Sequence, residues 1–147
     1  MWANDDVVRQ FRQTFRLDEL TIHEGQAWIV SVRPGQITLG SMVVSSSHGH
    51  LDFQGFSTDD STGLSAAFAT AERLAKIELG AVRVNLACLM MKDPVVHFHV
   101  LPRYSQPVER YDRTWLDEDW PGPPTIGAAS TADDVLGQLV RDLSAAL

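Results

Sequence analysis

The sequence has 147 residues, of which 44% are hydrophobic and 21% are charged. That length fits a single domain at residues 1–147, and the composition is typical of a globular protein. The net charge is −7 and the 12 basic residues are scattered along the sequence. A protein that binds a polymeric nucleic acid usually has its basic residues clustered in a stripe or patch. No apolar run approaches the roughly 20 residues of a membrane span. We therefore expect neither nucleic acid nor membrane as a partner.

The cysteine content and the first residues bear on the compartment. Cys88 is the only cysteine and lies in an apolar run, which predicts a small buried hydrophobic side chain. Residues 1–6 are acidic and lack the basic-then-apolar order of a signal peptide. From these two features we expect a cytoplasmic protein.

The first third of the chain is predicted to contain a helix and a hairpin. Residues 5–15 place apolar side chains at helical spacing. Residues 27–32 and 37–45 have the pattern of strands, and the turn Arg33-Pro34-Gly35 between them indicates a hairpin. The polar residues 45–50 predict a solvated loop.

The remaining elements complete a mixed fold. A long helix is predicted to begin near Thr58, where hydroxyl and carboxylate side chains can cap it, and to end at Gly80. Residues 82–91 are predicted as a third strand, antiparallel to the strand that follows. The chain after Tyr104 is rich in proline and acids, which indicates an irregular wrap, and residues 133–147 predict a closing helix. This order favours an α+β fold with helices packed on an antiparallel sheet.

Two of the five histidines lie two residues apart in the apolar stretch Asp93–Tyr104. Alternate side chains of a strand point to opposite faces, so His97 and His99 project together, on the face that Val95 shares. Folding does not require two adjacent imidazoles. Their spacing alone leaves three interpretations open: a nucleophile and an acid at phosphorus, two ligands of one metal ion, or structural histidines in a core.

Other polar residues can complete a site with this histidine pair. Asn85 is predicted to be a buried amide that needs a partner, such as a phosphate or a site histidine. Arg103 can bind a phosphate through two donors or pair with the acidic segment Asp117-Glu118-Asp119. His48 and His50 form a second pair, and we expect His50 in solvent. All four histidines together form a metal-site alternative, which lacks the usual carboxylate or cysteine partners.

Residues 96–103, Val-His-Phe-His-Val-Leu-Pro-Arg, resemble the signature of the histidine triad (HIT) superfamily of nucleotide hydrolases and transferases. The preceding elements are similar in order: a glycine-containing strand at 36–44 that leads to His48, a helix at 58–79 and a strand at 82–91. Residues 85–99 resemble the branch related to diadenosine polyphosphate hydrolases. The resemblance covers residues 15–120 and leaves the C-terminal helix at 133–147 unassigned.

The resemblance implies a HIT-like antiparallel sheet in the form of a half-barrel, with a long helix and flanking short helices. It implies hydrolysis of a nucleotide phosphoanhydride or phosphoramidate at the α-phosphate, through a covalent nucleotidyl-histidine. His97 takes the position of the nucleophile, and His99 that of the group that protonates the leaving group or orients the phosphate. The implied nucleotide-binding residues are Asn85, Arg33, His48 and Arg103, and Arg33 is equally well explained as an exposed hairpin charge.

The implied ligands are purine nucleotides, with dinucleoside polyphosphates first and AMP conjugates next. The resemblance implies that no cofactor is required, that no metal takes part, and that the chain forms a homodimer. Phe15 and Leu17 can add an apolar wall for the base, whereas Trp28 is predicted to lie in the core.

The sequence departs from the family pattern at the first triad position, which holds Val95. Valine neither donates nor accepts a hydrogen bond, so any support of His97 must come from elsewhere. The residues Ser45-Ser46-Ser47 stand where a basic residue often precedes His48. Two alternatives follow: a nucleotide-binding or regulatory module with little turnover, and a nucleotidyltransferase that uses the same residues.

Overall fold

A five-stranded antiparallel sheet organises the chain, and the computed structural model describes all residues 1–147. Its strands lie in the order β1-β2-β3-β5-β4, and every neighbouring pair is antiparallel. The strands are β1 (Thr21–Glu24), β2 (Trp28–Val32), β3 (Met42–Ser46), β4 (Arg83–Ala87) and β5 (His97–Arg103). A separate hairpin consists of β6 (Val108–Arg110) and β7 (Arg113–Trp115).

Four α-helices complete the fold: α1 (Asp5–Thr14), α2 (Leu17–Leu20), α3 (Thr58–Arg73) and α4 (Asp133–Ala145). A capping box begins α3, because the Ser57 hydroxyl accepts from the Asp60 N–H and the Asp60 carboxylate accepts from the Ser57 N–H. A π-helical turn, Leu74–Glu78, continues α3, and the chain then leaves the helix at Gly80, which adopts a φ of +80°. The predicted α+β class and the long helix are confirmed. None of the helices is both long and apolar enough to span a membrane.

The sheet separates two apolar clusters. The larger cluster contains 23 buried residues, Val96 and Val100 among them, and includes apolar residues of α3 and α4. The smaller cluster contains six: Phe11, Phe15, Leu17, Ile29, Val43 and Val95. The rings of His97 and His99 lie near Phe15 of this smaller cluster. The predicted division of the histidine stretch between two faces is therefore confirmed, although β5 itself begins only at His97.

Two predicted strands are too long, and one hairpin is missed. Residues 36–41 form a turn because the Gln36 side chain accepts from the backbone N–H groups of Gly40 and Ser41, so β3 begins at Met42. The strand predicted at 82–91 ends at Ala87. The segment after Tyr104 contains the hairpin β6–β7.

Two burial predictions are wrong. Cys88 is half-buried rather than buried, and burial raises the pKa of its thiol. The polar residues 45–50 do not form a solvated loop, because Ser45 and Ser46 belong to β3 and the side chain of His50 is fully buried. The hydroxyl of Ser45 is a buried side-chain polar atom without a hydrogen-bond partner.

Candidate functional site

A pocket with a volume of about 430 Å³ lies beside the two histidines of β5. Four segments build it around them: the end of α1 at residues 14–15, the turn after β2 at 33–35, the loop before β5 at 89–93, and the segment 126–129. A pocket of a few hundred Å³ is the size that binds small molecules. The sheet thus presents its histidine pair to a cavity rather than to a closed core.

The imidazole of His97 has one defined tautomer. Its Nδ1 lies 2.7 Å from the backbone carbonyl oxygen of Val95, and a carbonyl can only accept, so Nδ1 carries the proton. The rings of Phe11 and Phe15 lie 5.2 Å from the His97 ring, centroid to centroid. Burial lowers the pKa of His97 below its usual 6.5. At neutral pH the ring is therefore uncharged, with an unshared electron pair on Nε2.

The imidazole of His99 has the opposite tautomer. The Nε of Arg33 donates to its Nδ1 at 3.3 Å, so the His99 proton resides on Nε2. Burial, followed by the charge of Arg33 and then by His97, lowers the pKa of His99 to about 4. The two rings are 5.1 Å apart and nearly perpendicular. A neutral imidazole of this kind donates a hydrogen bond through Nε2–H and is a poor source of a proton near neutral pH.

Arg33 is half-buried beside His99 and forms no ion pair. Its guanidinium also donates to the carbonyl oxygens of Gly35, at 2.6 Å, and Gly127, at 3.4 Å. Desolvation lowers the pKa of this guanidinium, and a partly buried cation without a carboxylate is stabilised when an anion binds. Lys92 adds a second positive charge at the rim, against the single carboxylate of Asp93. The pocket therefore favours an anion although the chain as a whole is acidic.

The segment 126–129 closes one side of the pocket and has no sequence signature. Just after this segment, the Thr131 hydroxyl accepts from the backbone N–H of Gln36 at 3.0 Å, which ties this part of the chain to the turn after β2. Gly35 permits the contact, because a Cβ at this position would clash with the carbonyl oxygen of Ala129. In the sequence, only the glycine at position 35 indicates that another part of the chain packs closely against this turn. Met90 and Met91 also line the pocket, and no motif in the sequence marks them as site residues.

Two predicted site residues lie in a separate groove. Arg103 is buried and donates to Asp117 from Nε and from a terminal nitrogen, at 2.7 and 3.2 Å. Its other terminal nitrogen donates to the Asn85 side chain at 2.7 Å. The acidic-segment alternative for Arg103 is therefore the one observed. Asn85 is exposed, and its prediction as a buried amide is wrong because its strand is at the edge of the sheet.

The second histidine pair does not join the first. His48 is exposed near Trp2, with ring centroids 6.0 Å apart, and does not line the pocket. His50 is fully buried, and its two ring nitrogens form hydrogen bonds with Ser46 and Asp60. The four-histidine metal site is therefore not formed. No group of three or more His, Cys, Asp or Glu side chains is arranged to hold a metal ion.

Phe15 alone of the predicted apolar wall lines the pocket. Leu17 is buried in the smaller cluster, where it packs beneath α1. Trp28 lies in the larger cluster, as predicted, and its indole N–H donates to the Asp60 carbonyl at 2.8 Å.

Comparison with known proteins identifies the fold. No protein-family model matches the sequence, and no curated protein matches it. A HIT-like protein involved in cell-cycle regulation from Bartonella henselae shares 14% identity, with 100% of both chains covered and a TM-score of 0.71. A HIT protein from Sinorhizobium meliloti shares 16% identity over 100% of this chain and 98% of that chain, with a TM-score of 0.65.

A zinc-bound histidine triad family protein from Mycobacterium smegmatis shares 19% identity over 86% of this chain and 84% of that chain, with a TM-score of 0.60. The chain therefore has the fold of the histidine triad proteins. The fold implied by the resemblance at residues 96–103 is confirmed.

Proposed function

We propose that this chain is a histidine triad nucleotide hydrolase that acts at the α-phosphate through a covalent nucleotidyl-His97. The observation that carries the proposal is the hydrogen bond from His97 Nδ1 to the Val95 carbonyl at 2.7 Å. It fixes the tautomer in which Nε2 is unprotonated, and no protein group donates to that nitrogen. A neutral, oriented imidazole in an anion-favouring pocket is the arrangement that nucleophilic attack on phosphorus needs.

The proposed reaction has two displacements. In the first, the Nε2 electron pair of His97 forms a bond to the α-phosphorus, and the bond from phosphorus to the leaving oxygen breaks with its electron pair. The ring then carries a positive charge, which the Val95 carbonyl stabilises through the Nδ1 proton. In the second, a water oxygen attacks phosphorus, the Nε2–phosphorus bond breaks, and the water proton leaves to solvent. The products are a nucleoside monophosphate and the released nucleotide or phosphate chain.

His99 and Arg33 stabilise the charge that develops on the phosphoryl group. The Nε2–H of His99 is free to donate to a phosphoryl oxygen, because its Nδ1 is taken by Arg33. The Arg33 charge lies in the same pocket without a carboxylate partner and is suited to the polyphosphate. Their effect is electrostatic, and neither group needs to transfer a proton.

The protonation state of His99 favours phosphoanhydrides over phosphoramidates. A polyphosphate leaves as a stable anion, whereas a phosphoramidate nitrogen must be protonated as it leaves. His99, with a pKa of about 4, is a weak donor for that purpose at neutral pH. Dinucleoside polyphosphates are therefore the leading substrate class, and AMP conjugates the second. The apolar side of the pocket, at Phe15, Met90 and Ile126, suits a purine base.

We also propose that the chain forms a homodimer through β4. This strand is at one edge of the sheet, so its outer backbone groups are unpaired. Leu86 in the strand and Val82 just before it are exposed by 47% and 45%, which is unusual for an edge strand in solvent. Sedimentation of the wild type at twice the monomer mass, and of Leu86→Lys as a monomer, is the expected result. A monomeric wild type at micromolar concentration contradicts it.

A turnover assay tests the proposed activity. Wild type, His97→Asn and the exposed control His23→Asn are incubated with diadenosine tetraphosphate and with adenosine phosphoramidate, and products are followed by phosphorus NMR. We expect release of AMP by wild type and by His23→Asn, and loss of at least about a thousandfold in His97→Asn. Equal nucleotide binding by all three proteins without turnover supports the regulatory module instead. Transfer of AMP to added phosphate or alcohol in preference to water supports the transferase.

A further inference from the structure

A buried polar cluster of Ser46, His50 and Asp60 lies next to the histidine strand, and none of these residues lines the pocket. His50 is fully buried, its Nδ1 lies 2.6 Å from the Ser46 hydroxyl, and its Nε2 lies 3.0 Å from the Asp60 carboxylate. The indole of Trp28 is stacked on the His50 ring, and the rings of Trp2 and Phe56 flank it, with centroids at 4.3 and 4.6 Å. Both nitrogens of the imidazole therefore have polar partners, and aromatic rings pack against the ring.

The Asp60 carboxylate fixes the position of one proton on the His50 ring. A carboxylate only accepts, so His50 Nε2 donates to Asp60. In the neutral ring, Nδ1 then accepts from the Ser46 hydroxyl. The same hydroxyl oxygen accepts from the His50 backbone N–H at 3.1 Å. Asp60 also accepts from the Ser57 N–H at 2.9 Å. Both ring nitrogens of His50 therefore have a polar partner inside the protein.

The cluster contacts the peptide group that orients His97. The carbonyl oxygen of His50 accepts from the Val96 N–H at 2.8 Å. The Val95 carbonyl belongs to the same peptide group, and it is the acceptor for His97 Nδ1 at 2.7 Å. The Ser46 N–H donates to the Val96 carbonyl at 3.0 Å. The backbone of His50 thus holds one side of this peptide group while His97 binds the other.

We propose that His50 and Asp60 are positioning residues for His97, which they orient through the peptide group between Val95 and Val96. Asp60 and Ser46 fix the His50 ring, the His50 carbonyl fixes the peptide plane, and the Val95 carbonyl fixes the tautomer and the direction of the His97 ring. Hydrogen bonds in such a chain polarise and strengthen one another. The cluster supplies support that the side chain of Val95 cannot give. The tautomer claim stands on geometry, and only its effect on turnover rests on the proposed function.

Two variants and one matched control test the proposal. Asp60→Asn replaces the carboxylate that faces His50 by a neutral amide, and His50→Gln removes the imidazole ring. Ser57→Ala removes the hydroxyl that accepts from the Asp60 N–H, so it weakens the same helix cap but leaves the carboxylate on His50. Nitrogen NMR shifts of the His97 ring report its tautomer, and hydrogen exchange of the Val96 amide reports the peptide contact. Both readings are taken on folded protein and do not depend on substrate.

We expect both variants to increase the Nε2–H tautomer of His97 and to exchange the Val96 amide at least about tenfold faster than Ser57→Ala. If the proposed function also holds, kcat falls on the order of tenfold, while KM changes by less than about twofold. Unchanged His97 shifts and Val96 exchange, relative to Ser57→Ala, overturn the proposal even if activity falls. Shifted tautomers in a protein without turnover uphold the positioning role and reject only the hydrolase. If Asp60→Asn does not fold, the same His97 shifts and Val96 exchange are measured in His50→Gln and Ser46→Ala, with the same expected and contradicting results.

Discussion

Arg33 donates a hydrogen bond from Nε to Nδ1 of His99 at 3.3 Å, and these two residues lie 66 positions apart in the sequence. The contact gives the two neighbouring imidazoles different tautomers, because His97 donates from Nδ1 and His99 accepts there. One ring thereby offers an electron pair and the other an N–H. Two histidines that look equivalent in the sequence are therefore suited to different tasks.

Replacing Arg33 by Gln should raise the pKa values of both histidines. The pKa of His99 should move from about 4 towards 6.5, because the positive charge that opposes its protonation is removed while burial remains. In the proposed mechanism His97 attacks only when it is neutral, so the acid limb of kcat/KM should lie below pH 6.5 in wild type and at higher pH in the variant. Proton NMR titration of the two rings measures the shift. Arg83→Gln, which removes an exposed cation, is the matched control and should leave both titrations unchanged.

Replacing Arg103 by Met should lower the free energy of unfolding by about 3–5 kcal/mol, because the buried Asp117 carboxylate then has no cation. Nucleotide affinity should stay unchanged at a temperature at which the variant is folded, since the arginine lies outside the pocket. Urea unfolding and calorimetric titration with AMP provide the two measurements. Arg83→Met, at an exposed position on the same sheet, should cost less than about 0.5 kcal/mol. A weaker AMP affinity in Arg103→Met would contradict this prediction and show that Arg103 contributes to nucleotide binding.

Two helical glycines should respond in opposite ways to alanine. A Cβ at Gly63 of α3 would clash with the backbone carbonyl of Gln26, whereas a Cβ at Gly137 of α4 meets only the end of the Arg141 side chain at 3.6 Å. Gly63→Ala should therefore lower the free energy of unfolding by about 1–3 kcal/mol. Gly137→Ala should raise it by about 0.5–1 kcal/mol, as in an unhindered helix. Stabilisation by both substitutions would show that α3 is not closely packed on the β1–β2 turn.

The elements of the fold follow from local patterns. Helical spacing at 5–15, a capping signal at Ser57 and alternation in the histidine strand each depend on neighbouring residues, and all three elements form as predicted. Strand limits are less accurate where a side chain binds the backbone. The side chain of Gln36 bends the chain before β3, an effect that hydrophobic alternation does not report.

The site could be predicted only in part because its contacts are between residues of different elements, at separations from ten to more than ninety positions. The spacing of His97 and His99 and the motif that follows single them out as candidates, and the structure places both beside the pocket. The Arg33–His99 bond, the segment 126–129 and the His50–Asp60 pair each join parts of the chain that the fold brings together. His50 is predicted in solvent because it lies in a polar stretch. Its partner Asp60 is identifiable from the sequence only as a capping residue of α3.

Trapping of the intermediate is the most direct test of covalent catalysis by His97. Wild type is mixed with diadenosine tetraphosphate, quenched at alkaline pH, where a bond between phosphorus and imidazole nitrogen survives, and mapped by peptide mass spectrometry. The proposed mechanism predicts an added AMP on His97, retained in His99→Asn and absent in His97→Asn. Turnover by His97→Asn at the wild-type rate, or an AMP adduct on any other residue, would contradict the mechanism.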